Sequence, residues 1–161
     1  MPNRLMIMVT VVLAACGATS VPDPGGDQIV IVIESSGGCA QLGPNCARTI
    51  VYGDGTVETH RIGPAGLELV DTGAVAVDLV VDLHRTVVMT DLAALRARLP
   101  EGQCLGCVDG IDTSMTFFAG DKQEVFSSVD VELDPVEPVF EAAWAVADAA
   151  RAATEIPIVA R

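Results

Sequence analysis

The sequence predicts one α+β domain, an antiparallel sheet with two helices packed on one face and disulfide-braced loops. Three observations carry this. Runs of strand length, β-branched or alternating, recur along the chain, beginning with Ile29, Val30, Ile31, Val32 and Ile33. Asp54-Gly55 stands between two such runs, a strong hairpin signal because the turn needs φ > 0. Asp91 to Leu99 and Pro135 to Ala153 combine helical spacing with residues that start and stop helices.

In chain order, Ile29 to Ile33 reads as a central strand, followed by a Gly-rich loop over 35–46. Arg48 to Gly53 and Thr56 to Ile62 form the hairpin around Asp54-Gly55. Gly63-Pro64-Ala65-Gly66 breaks the chain. Val75, Val77, Leu79 and Val81 alternate with Ala76, Asp78, Val80 and Asp82, which predicts a further strand. The first helix starts at Asp91 with Thr90 as N-cap, places Leu92, Leu95 and Leu99 on one face, and stops at Pro100. A second loop over 101–112 holds Cys104 and Cys107. Ser114 to Phe118 and Gln123 to Val129 flank Ala119-Gly120-Asp121-Lys122, a second hairpin. The last helix has Asp134 as N-cap, Pro135 at N1 and Glu137 at N3, with Val139, Phe140, Ala143, Trp144, Ala147 and Ala150 on one face. A loose likeness between the two halves reads as coincidence.

The chain has 161 residues, half of them apolar and only 4% aromatic, with 9 basic against 22 acidic side chains and a net charge of −13. That length holds one domain. The apolar content is enough to offset chain entropy, so intrinsic disorder is excluded. Nucleic acid is not a partner, because phosphate neutralisation needs a basic face. A multi-span membrane protein is excluded too, since the one apolar run of useful length is N-terminal.

That run is Leu5 to Ala15, whose only polar member is Thr10, and it follows Arg4. Eleven residues make a helix of roughly 16 Å, about half a hydrocarbon core of ~30 Å. Residues 1–15 therefore read as a signal peptide. The segment ends in Leu13-Ala14-Ala15-Cys16-Gly17, which resembles the lipobox of bacterial lipoproteins. The resemblance implies cleavage before Cys16, lipid on its sulfur, and a protein held on the extracytoplasmic side of the cell envelope. Cleavage removes Arg4 and leaves 8 basic against 22 acidic side chains, a net of −14. Such a chain is repelled by anionic headgroups, so the lipid must anchor it. Gly and Pro fill five of the eleven positions 17–27, so 16–27 reads as lipidated cysteine and flexible tether, with the domain over 28–155. Gly38-Cys39…Cys46 leading into Thr49 to Val57 is also similar to small uncharacterised lipoprotein domains of bacteria. That likeness implies an address and no chemistry.

Cys39, Cys46, Cys104 and Cys107 form an even set in an oxidising compartment, with three possible pairings. Local pairing closes loops of eight and four residues, giving roughly 2.5 and 1.9 kcal/mol in the chain-entropy model. A Cys39–Cys104 bridge would close 66 residues, for roughly 4.3 kcal/mol. Cys104-Leu105-Gly106-Cys107 has redox spacing, but it follows a Pro-stopped helix beside Asp109 and Asp112, which raise a thiol's pKa. A Cys₄ zinc site wants two close pairs, and Cys39 to Cys46 is too wide for one. Asp130, Glu132 and Asp134 share one face of an extended segment and read as a solvated acidic surface, not a Ca²⁺ site.

His60 and His84 are the only histidines, each beside an arginine, and read as exposed cross-strand partners. No hydrolase or phosphate-loop motif occurs. The residues thus point to no catalytic site, metal or cofactor. They favour a binding or envelope-structural module with a membrane anchor at Cys16 and an envelope protein as partner. Two alternatives stand beside it, an inhibitor presenting a braced loop to a protease or lytic enzyme, and a hydrolase or redox enzyme whose site is scattered along the chain. The contact tip on this reading is Gln41, Leu42 and Pro44, because a braced loop loses less entropy on binding.

Overall fold

The computed structural model describes residues 20–37, 46–63, 66–105, 107 and 110–154. The fold is α+β. Strands β1 (Ile29–Ser36), β2 (Ala47–Tyr52), β3 (Thr56–Gly63) and β4 (Gly66–Ala74) are followed by helices α1 (Val77–Met89) and α2 (Leu92–Arg98). Then come β5 (Asp112–Ala119), β6 (Lys122–Ser127) and α3 (Pro138–Ala153). The sheet is antiparallel with strand order β4-β3-β2-β1-β5-β6, so β1 is central, as its apolar run requires.

Register determines which side chains share a face. Ile31 lies opposite Val51 and Phe117, and Ile33 opposite Thr49 and Met115. Val51 pairs with Val57, and Met115 with Phe126. All but Thr49 join one buried cluster with Val80, Leu83 and Val87 of α1 and Val139, Phe140, Ala143 and Ala147 of α3. The helices therefore lie on this face. A bulge between Ile29 and Ile31 accounts for the burial of two successive residues, Val30 and Ile31. Phe117, Phe126 and Phe140 form the aromatic centre, with Phe126 edge-to-face on Phe140 at 5.3 Å.

The first hairpin differs in detail from the expected two-residue turn. The Gly55 amide donates to the Tyr52 carbonyl at 3.0 Å, and Gly55 has φ +86°. The connection is thus three residues, Gly53 to Gly55, with the left-handed residue last. The second hairpin is present as expected, but its strands run on through Ala119 and Lys122, so the turn is only the two residues Gly120-Asp121.

Three assignments are corrected. Residues 75–82 are not a strand: from Val77 they form the N-terminal half of α1, which makes three helices among the described residues instead of two. The alternation from Val75 to Asp82 competes with a longer helical period, since Val80, Leu83, His84 and Val87 are the buried positions of α1. The strand of this region is β4, whose Leu67, Leu69 and Val70 are exposed on a sheet edge. Second, the caps shift. Asp91, not Thr90, caps α2 by accepting from the Ala94 amide at 3.0 Å, because the Thr90 hydroxyl donates to the Thr86 carbonyl and ends α1. In α3, Glu137 is the N-cap and Pro138 is N1. Asp134 instead makes a turn one step earlier, its carboxylate accepting from the Val136 amide at 2.9 Å. Of the expected face of α3, Trp144 is only half-buried, and Val146 is buried with the others.

Third, residues before Gln28 are bonded to the sheet. The Gln28 amide donates to the Gly25 carbonyl, the Gly53 amide to the Gln28 carbonyl at 2.9 Å, and the Asp54 amide to the Gly26 carbonyl at 3.2 Å. Residues 24–28 are thus strapped to the first hairpin. The Cys16 end of the tether reading lies outside the described residues.

Candidate functional site

Of Cys39, Cys46, Cys104 and Cys107, the last two are joined to each other. This local pairing rules out a Cys39–Cys104 bridge. Cys46 is also disulfide-bonded. Cys39, together with Gln41, Leu42 and Pro44 of the expected contact tip, lies outside the described residues, as does Cys16. The Cys104 loop is anchored by Asp112, whose carboxylate accepts from the Leu105 amide at 2.8 Å. Asp130 to Asp134 is no strand. Val131 bridges to Glu101 and is buried between the exposed Asp130 and Glu132, while Asp134 is half-buried.

The two histidines part company. His60 stays on a strand, and register places it beside Arg48, which in turn faces Glu34. Its Nε2 lies 3.2 Å from Glu58 Oε2, and the Tyr52 hydroxyl donates to the same oxygen at 3.1 Å. Burial, then the hydrogen bond to and the charge of Glu58, raise the Tyr52 phenol above its ordinary value. The phenol is therefore neutral and no nucleophile. His60 and Glu58 both stand on β3, and the Tyr52 hydroxyl ties the pair across to β2.

His84 is not on a strand and not exposed. It sits on α1 with 6% of its surface accessible, and its Nδ1 is buried without a hydrogen-bond partner. Leaving such an atom unpaired costs about 1–3 kcal/mol. The ring lines a cleft of about 810 Å³ between α1, the start of α2, the β5–β6 hairpin and residues 21–23. Its apolar wall comes from Val21, Pro22, Val87, Val88, Leu92 and Phe117. The charged groups lining it are Asp23, Asp91, Glu124 and Lys122. This size and mixture suit a small ligand. No reading of the sequence assembles it, because its walls come from four separate segments. The one signal present was a titratable residue, His84, at a helical interval from Val80 and Val87.

Burial holds the His84 imidazole below its ordinary pKa of 6.5, and the negative charge of Asp23 partly opposes this. The unfolded chain therefore binds the proton more readily than the folded one. This contribution to stability is complete above pH 6.5 and is lost as the pH falls below that value. Urea melts of wild type and His84→Leu between about pH 7.5 and pH 5 test this: the wild type should lose stability relative to the variant on the acid side. Parallel curves would show that His84 titrates alike in both states.

Among the described residues no helix is long and apolar enough to cross a membrane, and no group of three or more His, Cys, Asp or Glu is placed to hold a metal ion. The chain matches no protein-family model, and no curated protein matches it in sequence.

Proposed function

We propose that this protein is a lipid-anchored extracytoplasmic binding module, held to the membrane by lipid on Cys16, with no nucleic-acid partner. The observation that carries the reading is the order of the leader: Arg4, the apolar run Leu5 to Ala15, then small residues and Cys16. The fold is compatible with it. Residues 20–23 lead directly into the strap at Gly25, so an anchor at Cys16 holds the domain close to the bilayer surface. Val21 lies five steps along the chain from Cys16, and at full extension five steps span about 17 Å. The ligand-sized cleft beside Val21 supports binding over catalysis, because the only other histidine cluster lacks a nucleophile.

Metabolic labelling with a fatty acid, followed by membrane fractionation, tests the anchor. The wild type should carry label and sediment with membranes at mature size. Cys16→Ser should lose all label and accumulate as the longer precursor. A Cys16→Ser protein of mature size in the membrane fraction would falsify the lipoprotein reading.

A further inference from the structure

We propose that residues 155–161 lie along β4 as a further, antiparallel strand that closes the open edge of the sheet, with the backbone of Ile156, Ile158 and Ala160 turned to β4 and Pro157 turned outward. Residues 155–161 lie outside the described ones. What the described residues supply is the edge itself and the point from which the segment departs. The pairing holds whether or not Cys16 carries lipid.

The edge is apolar and open. β4 ends the strand order on one side, and every residue from Gly66 to Val70 is exposed. Leu67, Leu69 and Val70 are 46%, 54% and 44% accessible. Among the described residues, no backbone hydrogen bond outside the β3 ladder reaches these three. An apolar edge of this length pairs with other chains unless something covers or blocks it. The opposite edge is blocked: on β6, Arg96 Nη2 donates to the Val125 carbonyl, and Lys122 stands at the first position. β4 holds no lysine, arginine or proline to do the same. A second copy is a poor occupant, because each chain carries −13 and β4 itself bears Glu68 and Asp71.

The chain delivers a strand to this place. A Cβ at Gly73 would lie 2.6 Å from the Ala153 carbonyl oxygen, so the end of α3 rests directly on β4. Thr154, the last described residue, is 7% exposed and already extended, with φ −120° and ψ 147°. From Gly73 the edge of β4 extends only back toward Gly66, because beyond Ala74 the chain turns into α1. A strand leaving Thr154 there runs antiparallel. Residues 155–161 span about 24 Å as a strand, the length of the seven residues from Thr72 back to Gly66. Three of them, Ile156, Ile158 and Val159, are β-branched. Pro157 fixes the phase: it has no N–H to give, so it faces away from β4, and Val159 with it. The outward proline then blocks the new edge. The same direction brings Arg161 to the Glu68 end of β4, an opposite charge.

Amide hydrogen exchange on the full chain in detergent micelles, followed by NMR, tests the pairing. The amides of Ile156, Ile158 and Ala160 should exchange at least about tenfold more slowly than in an open chain, and that of Val159 at the open-chain rate. Ile158→Pro removes an inward N–H and should abolish the protection of Ile156 and Ala160. Val159→Pro stands at an outward position and should leave that protection in place. Light scattering should give a monomer. Open-chain exchange at all four amides, equal protection of Val159 and its neighbours, or equal effects of the two prolines would overturn the proposal. Protection found only in a dimer would overturn it as well, since the edge would then be closed by a second copy.

Discussion

Replacing Phe140 by Ala should lower the unfolding free energy by about 3–5 kcal/mol. The chain has four phenylalanines, and three of them meet in one cluster. Phe140 is fully buried, 5.3 Å from the Phe126 ring and 6.2 Å from Phe117. It is where the first turn of α3 reaches the β5–β6 pair. Those strands are held by their ladder and cannot close over the space a ring leaves, so the loss includes a cavity as well as the transfer of apolar surface. Arg96 adds to the rigidity, with its guanidinium 4.5 Å over Phe126 and its Nη2 donating to the Val125 carbonyl. Denaturant unfolding at constant slope measures the change. A loss below about 1 kcal/mol would mean that the site collapses freely and the trio is not the centre of the core.

Gly53→Ala should destabilise the chain by about 1–3 kcal/mol, the range for overpacking a filled site. A Cβ at Gly53 would lie 2.1 Å from the Gly25 carbonyl oxygen and 3.1 Å from Pro24 Cβ. Backbone blocks it on the far side, so the strap of residues 24–28 must lift off the hairpin. Its bonds from the Gly53 and Asp54 amides go with it. Residues 21–23 then lose their position against α1, and the cleft loses the wall that holds Asp23. Gly26→Ala is the control, because its Cβ meets only Asp54 Cβ at 3.6 Å, an ordinary contact. Melting curves and amide exchange at Gly53 and Asp54 read the effect. Equal melting of the two variants would show that the strap is not packed on the hairpin.

Much of the sheet was legible in the sequence because its signals are local. The Ile29 to Ile33 run, the Gly55 turn and the Gly120-Asp121 turn each state their conformation within a few residues. β4 was not legible. It is an edge strand exposed along most of its length, and a strand with no buried face leaves no period-two pattern. The α1 segment was misread for the opposite reason. Val77 to Val81 is apolar at nearly every position, and both periods fit it until Leu83, His84 and Val87 are counted. The caps were displaced because Thr90 and Asp134 had other partners at hand, a hydroxyl donating back to Thr86 and an Asx turn before α3.

The sequence by itself determined the fold class, the central place of β1, both hairpins and the acidic charge, since each follows from side-chain type and short-range spacing. Only the tertiary structure decided that 77–89 is a helix, that residues 24–28 belong to the domain, and that His84 is buried beside a cleft. The physical reason is the same in each case. Burial depends on what lies opposite, and what lies opposite Val80, Gly25 and His84 comes from distant parts of the chain. For Val80 it is the sheet and α3, for Gly25 the first hairpin, and for His84 the β5–β6 turn with residues 21–23.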